Sequence, residues 1–242
     1  MLFETLNLNK LSKLLKKPEI AVAFVIIIAV FMKIISGIAY ESIYASSLPH
    51  DKIVILDAGH GGEDCGAIGV SGVYEKDLNL CIAKLLGEML EKEGITVIYT
   101  RTEDRMLYKP EENIKGLRKI SDLKNRCKIA EENPSALFVS IHMNSYGAEK
   151  YSGLQVYCSD SGESRRLAEN IQYSVVERLQ VDNKRKVKNG ENIYVLENIE
   201  NVAVLIECGF LSNRAECESL SQKEYQKRLC FSILCGIIEY MK

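Results

Sequence analysis

Short apolar runs alternate with longer amphipathic segments from residue 51 to residue 242. Continuous apolar runs are typical of strands buried on both faces, and apolar residues at helical spacing indicate helices that bury one face. The predicted strands are residues 53–56, 95–99, 136–141, 153–158, 193–196 and 203–206, and the predicted helices are residues 75–93, 121–132, 161–180 and 224–241. Strands that alternate with helices predict an α/β fold, namely a three-layer α/β/α domain with a mostly parallel central sheet.

Local sequence signals place the helix ends and the loops. Gly94 follows the first predicted helix as its C-cap, and Ser121 is the expected N-cap of the second. Residues 103–120 are polar and irregular, which predicts a surface loop. The basic run at residues 184–188 favours a solvated turn, with contact to an anionic polymer as the alternative.

The first 50 residues differ in composition from the rest of the chain. Residues 1–19 are basic, residues 20–40 form an apolar stretch long enough to cross a bilayer, and residues 41–50 have the composition of a linker. Positive charge before the apolar stretch predicts that residues 1–19 stay in the cytoplasm and that residues 51–242 lie outside it. We favour an uncleaved transmembrane anchor. A cleaved signal peptide has the same layout, and a buried core helix is a weaker alternative because the stretch is apolar all round.

Composition narrows the classes of function. The 242 residues carry a formal net charge of −2, so no overall basic field favours nucleic acid as a partner. Eight cysteines are scattered without a CxxC pair, which argues against a zinc finger or a redox dithiol. We expect free thiols that pack as small apolar side chains, with disulfide pairing as the alternative.

Four polar residues occupy positions from which they can share one site. They are His60 in a glycine-rich loop after the first strand, His142 after the third, Glu207 after residues 203–206, and Glu75 at the start of the first helix. Because ligands bind at the carboxyl ends of parallel strands, these side chains can meet at one edge of the sheet. Two imidazoles and a carboxylate are the ligand set of a catalytic zinc site, and a further carboxylate can act as general base. The alternatives are histidines hydrogen-bonded to backbone and, for Glu75, a charge favoured by the helix N-terminus.

Four motifs resemble, in the same order, those of the zinc-dependent N-acetylmuramoyl-L-alanine amidases of type 3, which cut bacterial cell-wall peptidoglycan. The motifs are residues 55–62 (ILDAGHGG), 74–79 (YEKDLN), 140–145 (SIHMNS) and 206–213 (IECGFLSN). The resemblance covers residues 52–242, so these residues are expected to form a zinc amidase catalytic domain. Within the family, the chain is most like the germination-specific, spore-cortex amidases of spore-forming bacteria.

The resemblance implies a role for each of these residues. His60, Glu75 and His142 would ligate Zn²⁺, and Glu207 would be the catalytic carboxylate that activates the attacking water. The bond cut would be the amide between the muramic acid lactyl group and L-alanine, in spore cortex maturation (muramic-lactam formation) and germination. Further polar positions of the family are occupied by Asn79, Asn144 and Arg126, expected to bind substrate, and by Arg101, expected to hold a loop or the sheet edge. For Asn144, support of a loop is an equal alternative.

The implied partners are peptidoglycan, the membrane through the N-terminal helix, and an accessory activating protein. Only a short stretch separates His142 from residue 153, so we expect no inhibitory helix of the kind that some relatives carry there. Two rival interpretations share the fold: a zinc peptidase acting on another amide, and a partner-dependent or inactive peptidoglycan-binding protein. An inactive protein predicts loss of a ligand or of the catalytic carboxylate, whereas all four residues are present.

Overall fold

The computed structural model describes residues 52–242 and, ahead of them, only Ile28 and Phe31. The predicted cytoplasmic segment, membrane segment and linker (residues 1–19, 20–40 and 41–50) therefore lie outside the described residues, apart from these two. In the part of the chain that is described, no helix has both the length and the apolar character needed to cross a membrane.

Six strands form one mixed sheet in the order β2-β1-β3-β6-β4-β5. The strands are β1 (Ile53–Ala58), β2 (Thr96–Tyr99), β3 (Leu137–Asn144), β4 (Gln155–Cys158), β5 (Lys188–Asn189) and β6 (Ala203–Phe210). The neighbouring pairs β1–β2, β1–β3 and β3–β6 are parallel, whereas β4 runs antiparallel to β6. The predicted mostly parallel central sheet is thus confirmed, and β1 and β3 lie inside it, which explains their continuous apolar sequences.

Helices pack on both faces of this sheet. They are α1 (Glu75–Lys92), α2 (Arg118–Glu131), α3 (Gly162–Arg178), α4 (Tyr194–Glu197), α5 (Arg214–Leu220) and α6 (Lys223–Met241), and a 3₁₀ turn, Pro110–Glu112, precedes α2. On one face, Ile55 of β1 and Phe138 of β3 share a buried cluster with residues of α2 and α4. Because side chains alternate along a strand, Val54 and Leu56 point to the other face, where α6 contacts both α1 and α3.

The first helix shows how sequence fixes an element that carries a functional residue. Glu75 and Asp77 lie in the first turn of α1, where carboxylates interact favourably with the helix dipole. The helix ends before Gly94, whose φ of +76° is the left-handed conformation that glycine adopts after a helix. The predicted helix and its glycine stop are confirmed.

Two predicted local features are wrong. Residues 193–196, predicted as a strand, belong to the short helix α4 and the residue before it, because an apolar run this short does not distinguish a strand from a buried helical turn. The second helix begins at Arg118 with Leu117 at its N-cap, and the Ser121 amide donates to the Leu117 carbonyl inside the first turn. Ser121 is therefore not a cap.

The basic run at residues 184–188 is more than a solvated turn. Lys188 begins the edge strand β5, and the Arg185 guanidinium donates hydrogen bonds to the Ser152 carbonyl and to Gln155 of β4.

Two other expectations concern the cysteines and the stretch before β4. All eight cysteines are unpaired, as expected, and five of them are buried. Residues 145–152 are exposed or half-buried and contain no helix, so the expectation of no inhibitory helix in this stretch is confirmed.

Candidate metal centre and catalytic carboxylate

Three of the four predicted residues converge at the carboxyl end of β1 and β3. His60 lies just after β1, Glu75 is the first residue of α1, and His142 lies within β3. Oε1 of Glu75 is 3.2 Å from Nε2 of His60 and 3.0 Å from Nδ1 of His142. One atom from each residue lies within 4.8 Å of the others, which suits a single metal ion.

Two glycines make room for this cluster. A Cβ atom on Gly59 would collide with the imidazole of His142. A Cβ atom on Gly66 would collide with the Glu75 carboxylate and the His60 ring, and the φ of Gly66 is +64°. Both positions therefore require glycine, for close approach at Gly59 and for backbone conformation as well at Gly66.

The Glu75 carboxylate is oriented by backbone donors. The amide of Ala67 donates to Oε2 (2.8 Å) and the amide of Met143 donates to Oε1 (3.1 Å). Burial opposes the negative charge of Glu75, but hydrogen bonds to His142 and His60 outweigh it and hold its pKa well below the usual range. The carboxylate is thus kept ionised and fixed, as a metal ligand must be.

Asp64 orients His60 from the side opposite Glu75. Nδ1 of His60 is 3.0 Å from Oδ2 of Asp64, an ion-pair distance without hydrogen-bond geometry, and the nearby carboxylate favours a proton on Nδ1, which leaves Nε2 to face the cluster. Burial disfavours the charged imidazole, but attraction to Asp64 and Glu75 outweighs it and raises the pKa of His60 to about 9. Sequence reasoning missed Asp64, although its spacing four residues after His60 in the glycine loop was a signal.

Replacing Asp64 with asparagine is expected to weaken zinc binding by about 10–100-fold, because a carboxylate behind a ligating imidazole fixes its tautomer and ring orientation. Competition with a chromophoric chelator measures the affinity. The matched control is Asp182→Asn, which removes an exposed aspartate on the segment after α3. Equal zinc affinity in the wild type and Asp64→Asn would show that Asp64 does not support the site.

Glu207 completes the group from the neighbouring strand. It pairs in register with His142 across β3 and β6, so the two side chains share one face of the sheet. Oε2 of Glu207 is buried and has no hydrogen-bond partner among the described residues. Burial raises the pKa of Glu207 to about 7, Glu75 adds to the rise, and the two histidines oppose it. A carboxyl group with this pKa can both accept and donate a proton near neutral pH.

Beneath the loop that carries His60 lies a buried ion-pair network. The Arg126 guanidinium donates to the carboxylates of Asp57 and Asp122 and, at 2.8 Å each, to the carbonyls of Ala58 and His60. Asp57 also accepts hydrogen bonds from the hydroxyls of two further residues, Ser140 and Thr100. Sequence reasoning missed Asp57, yet a carboxylate inside a buried strand must have partners, which was a usable signal.

The residues predicted to bind substrate lie at different depths. Arg126 is 2% exposed and Asn79 is fully buried, with its amide donating to the Gly59 carbonyl (3.1 Å). The placement of Arg126 and Asn79 favours support of the loop that carries His60 over contact with substrate.

The two remaining predicted polar residues are Arg101 and Asn144. Arg101 donates to the carbonyls of Ala58 and Gly59 and so holds a loop, as expected. Asn144 is half-buried at the end of β3, and its side chain makes no hydrogen bond within the described residues.

A small cavity adjoins the two histidines of the cluster. It has a volume of about 110 Å³ and lies between α2 and the turn that leads into α4. Its lining includes His60, His142, Lys119, Leu123 and Tyr194. Neither Glu75 nor Glu207 lines this cavity, so it borders the cluster only on the side of the two imidazoles.

Comparison with known proteins gives matches along nearly the whole described domain. The N-acetylmuramoyl-L-alanine amidase family matches residues 54–239. The chain is 38% identical over 198 residues to the germination-specific N-acetylmuramoyl-L-alanine amidase of Bacillus subtilis strain 168, covering 80% of this chain and 82% of that protein. The CwlD amidase from Clostridioides difficile, solved in complex with the GerS lipoprotein, is 40% identical with a TM-score of 0.76, covering 78% of this chain and 98% of that one.

A second solved structure, the N-acetylmuramoyl-L-alanine amidase from Clostridium difficile 630, is 30% identical with a TM-score of 0.69, covering 79% of this chain and 97% of that one. The family match spans well over half of the chain, and it includes all the residues of the histidine and glutamate cluster. The chain therefore belongs to the N-acetylmuramoyl-L-alanine amidase family.

Proposed function

We propose that this amidase is a zinc enzyme in which His60, Glu75 and His142 hold the metal and Glu207 is the catalytic carboxylate. The observation that carries the proposal is the convergence of three ligand atoms within 4.8 Å, with Glu207 opposite His142 in register. Two imidazoles and one carboxylate are a donor set that zinc favours. Backbone donors hydrogen-bond Glu75, and the Asp64 carboxylate lies against His60, so both ligands have supporting contacts of the kind typical of such sites.

When bound, zinc would polarise the substrate carbonyl and make the attacking water more acidic. Glu207 takes the proton of that water and gives it to the nitrogen of L-alanine as the amide between the muramic acid lactyl group and L-alanine breaks. Burial of Glu207 suits this double role, because it places the pKa of the carboxyl group near neutrality. Arg126 and Arg101 keep the backbone before His60 fixed during the reaction.

For the biological setting, we propose the spore cortex, in its maturation and at germination. The name of the Bacillus subtilis relative, whose match covers most of this chain, supports this assignment.

We also propose that the chain is held at the membrane. The cytoplasmic segment, the membrane anchor and the linker would be residues 1–19, 20–40 and 41–50, with residues 51–242 as an extracytoplasmic catalytic domain. The Clostridioides difficile relative was solved with a lipoprotein, which supports an accessory activating partner for this chain as well.

The proposal is tested with the full-length chain and purified peptidoglycan. We expect about one zinc per chain and the release of L-alanine amino termini. Removal of the metal with a chelator should abolish this release, and added zinc should restore it. Newly formed amino termini other than L-alanine would favour the zinc peptidase, and binding of peptidoglycan without cleavage would favour the inactive protein. Full activity after complete removal of the metal would contradict the zinc mechanism.

A further inference from the structure

Beside the catalytic carboxylate lies a stack of aromatic rings capped by a cation. We call it the aromatic wall, consisting of Tyr146, Tyr151, Phe210 and the Arg185 guanidinium. Tyr146 and Tyr151 meet edge to face with ring centroids 4.9 Å apart, and Tyr151 stacks on Phe210 at 6.2 Å. The Arg185 guanidinium lies 4.5 Å from the centroid of the Phe210 ring. Phe210 is 3% exposed and Tyr146 is 61% exposed, so the wall extends from the protein interior to the surface.

An irregularity in the sheet places this wall on the catalytic face. His142 pairs with Glu207 and Asn144 pairs with Phe210, so β6 has one residue more than β3 between these two pairs. Residues opposite each other on paired strands share a face, so the extra residue turns Phe210 to the face of His142 and Glu207. Bulges next to active sites commonly redirect a side chain in this way.

Arg185 is held close to Glu207 through Gln155. Nη1 of Arg185 donates to Oε1 of Gln155 (3.1 Å), and Nε donates to the carbonyl of Ser152 (2.6 Å). Gln155 is buried and pairs directly with Glu207 across β4 and β6. Opposite residues in an antiparallel pair have Cα atoms about 4.5–5.5 Å apart. The guanidinium therefore lies about one side chain away from the catalytic carboxyl group.

Among the described residues Arg185 forms no close ion pair, and its electrostatic interaction with the Glu216 carboxylate acts beyond ion-pair distance. Its fixed nitrogens bond to a carbonyl and to an amide, and no carboxylate oxygen lies within 4.0 Å of it. The nearby Glu216 accepts hydrogen bonds from the backbone amides of Gly153 and Phe210 instead. Nη2 of Arg185 has no partner among these residues. A guanidinium that is preoriented, charged and half-exposed is suited to bind a carboxylate.

We propose that Arg185 determines specificity by binding a free carboxylate on the stem peptide of peptidoglycan while Glu207 acts on the adjacent lactyl amide. The inference rests on the proposed function and names the part of the substrate that this side of the site recognises. An extended peptide advances about 3.3–3.6 Å per residue. A carboxylate one or two residues beyond the L-alanine would therefore lie about 3–7 Å further along the peptide, the scale of the single side chain, Gln155, that separates Arg185 from Glu207.

The test compares two forms of the same peptidoglycan, both with acetylated amines, one with free carboxyls and one with amidated carboxyls. We expect wild-type full-length protein to cleave the free form about 10–100-fold faster, the range for one charge-assisted hydrogen bond. Arg185→Met should cleave both forms at the slow rate. The control Lys184→Met removes an exposed cation one position away and should keep the wild-type preference.

A structural role for Arg185, as a strap that holds residues 183–188, would give a different result. Arg185→Met would then slow cleavage of both forms by the same factor, and this outcome overturns the inference. So does equal cleavage of the two forms by the wild type, a comparison that needs no variant. Failure of the wild type to cut either form would instead contradict the proposed function.

Binding gives a readout that does not depend on turnover. In a Glu207→Gln background, co-sedimentation with insoluble peptidoglycan should be stronger for the free form than for the amidated form. Adding Arg185→Met should remove this difference, while Lys184→Met should leave it. If the difference survives Arg185→Met, the carboxylate is recognised elsewhere and the inference is wrong.

Discussion

Replacing Glu207 with glutamine is expected to slow amide hydrolysis by about 10²–10⁴-fold, the usual contribution of a positioned general acid or base. Glutamine keeps the size of the side chain and its place opposite His142, but it can neither take a proton from water nor give one to the leaving amine. The three residues that would hold zinc remain. Activity should therefore fall while the zinc content stays near that of the wild type.

Release of L-alanine amino termini from peptidoglycan measures the activity, and elemental analysis of the same samples measures zinc. The matched control is Glu200→Gln, which makes the same substitution at an exposed glutamate shortly before β6. It should behave as the wild type does. If Glu207→Gln keeps full activity, another group moves the proton. If it loses zinc together with activity, Glu207 acts as a ligand or holds the site together.

The gross arrangement of the site could be predicted because it follows from strand order. His60 and His142 stand after or within apolar runs that had to be central parallel strands, and the ends of such strands meet at one edge. Glu207 could be placed there by the same argument. The distances between these side chains could not be predicted, because they depend on backbone turns such as the left-handed conformation of His60, with a φ of +60°.

The features that sequence reasoning missed depend on contacts between distant segments. Asp57 and Arg126 are 69 residues apart, and only the packing of α2 on the sheet brings them together. In the sequence Arg185 is only one member of a basic run, because its hydrogen bonds to Gln155 and to the Ser152 carbonyl, about 30 residues earlier, decide where it lies. The short helix α4 was missed because a single buried turn has no helical period to detect.

Replacing Arg126 with methionine is expected to lower the free energy of unfolding by about 3–5 kcal/mol, the usual effect of removing one partner from a buried ion pair. Asp57 would be left buried with only the hydroxyls of Ser140 and Thr100 as donors. The carbonyls of Ala58 and His60 would also lose a donor each, so the loop before the metal site should loosen. Denaturant unfolding monitored by circular dichroism measures the change.

The control for Arg126→Met is Lys227→Met, which breaks an exposed ion pair with Glu224 on α6 and should change stability much less. The double variant Asp57→Asn/Arg126→Met should lose less stability than the sum of the two single variants, because it removes the buried Asp57 charge as well and leaves only Asp122 without the guanidinium. Equal losses in Arg126→Met and Lys227→Met would show that the buried network contributes little to stability.

The pH dependence of the Arg126→Met effect gives a sharper test of its cause. Burial opposes the charge of Asp57 in the wild type, but Arg126 and the two hydroxyls outweigh it and hold its pKa below the usual value of about 4. The wild type therefore has this stabilisation in full above about pH 4 and loses it as the pH falls through the lowered pKa. Without Arg126, burial should raise the pKa of Asp57, so the folded variant takes up a proton at higher pH than the unfolded chain does. The stability deficit of the variant should consequently shrink as the pH is lowered towards 4, whereas a deficit caused by lost packing alone would stay constant.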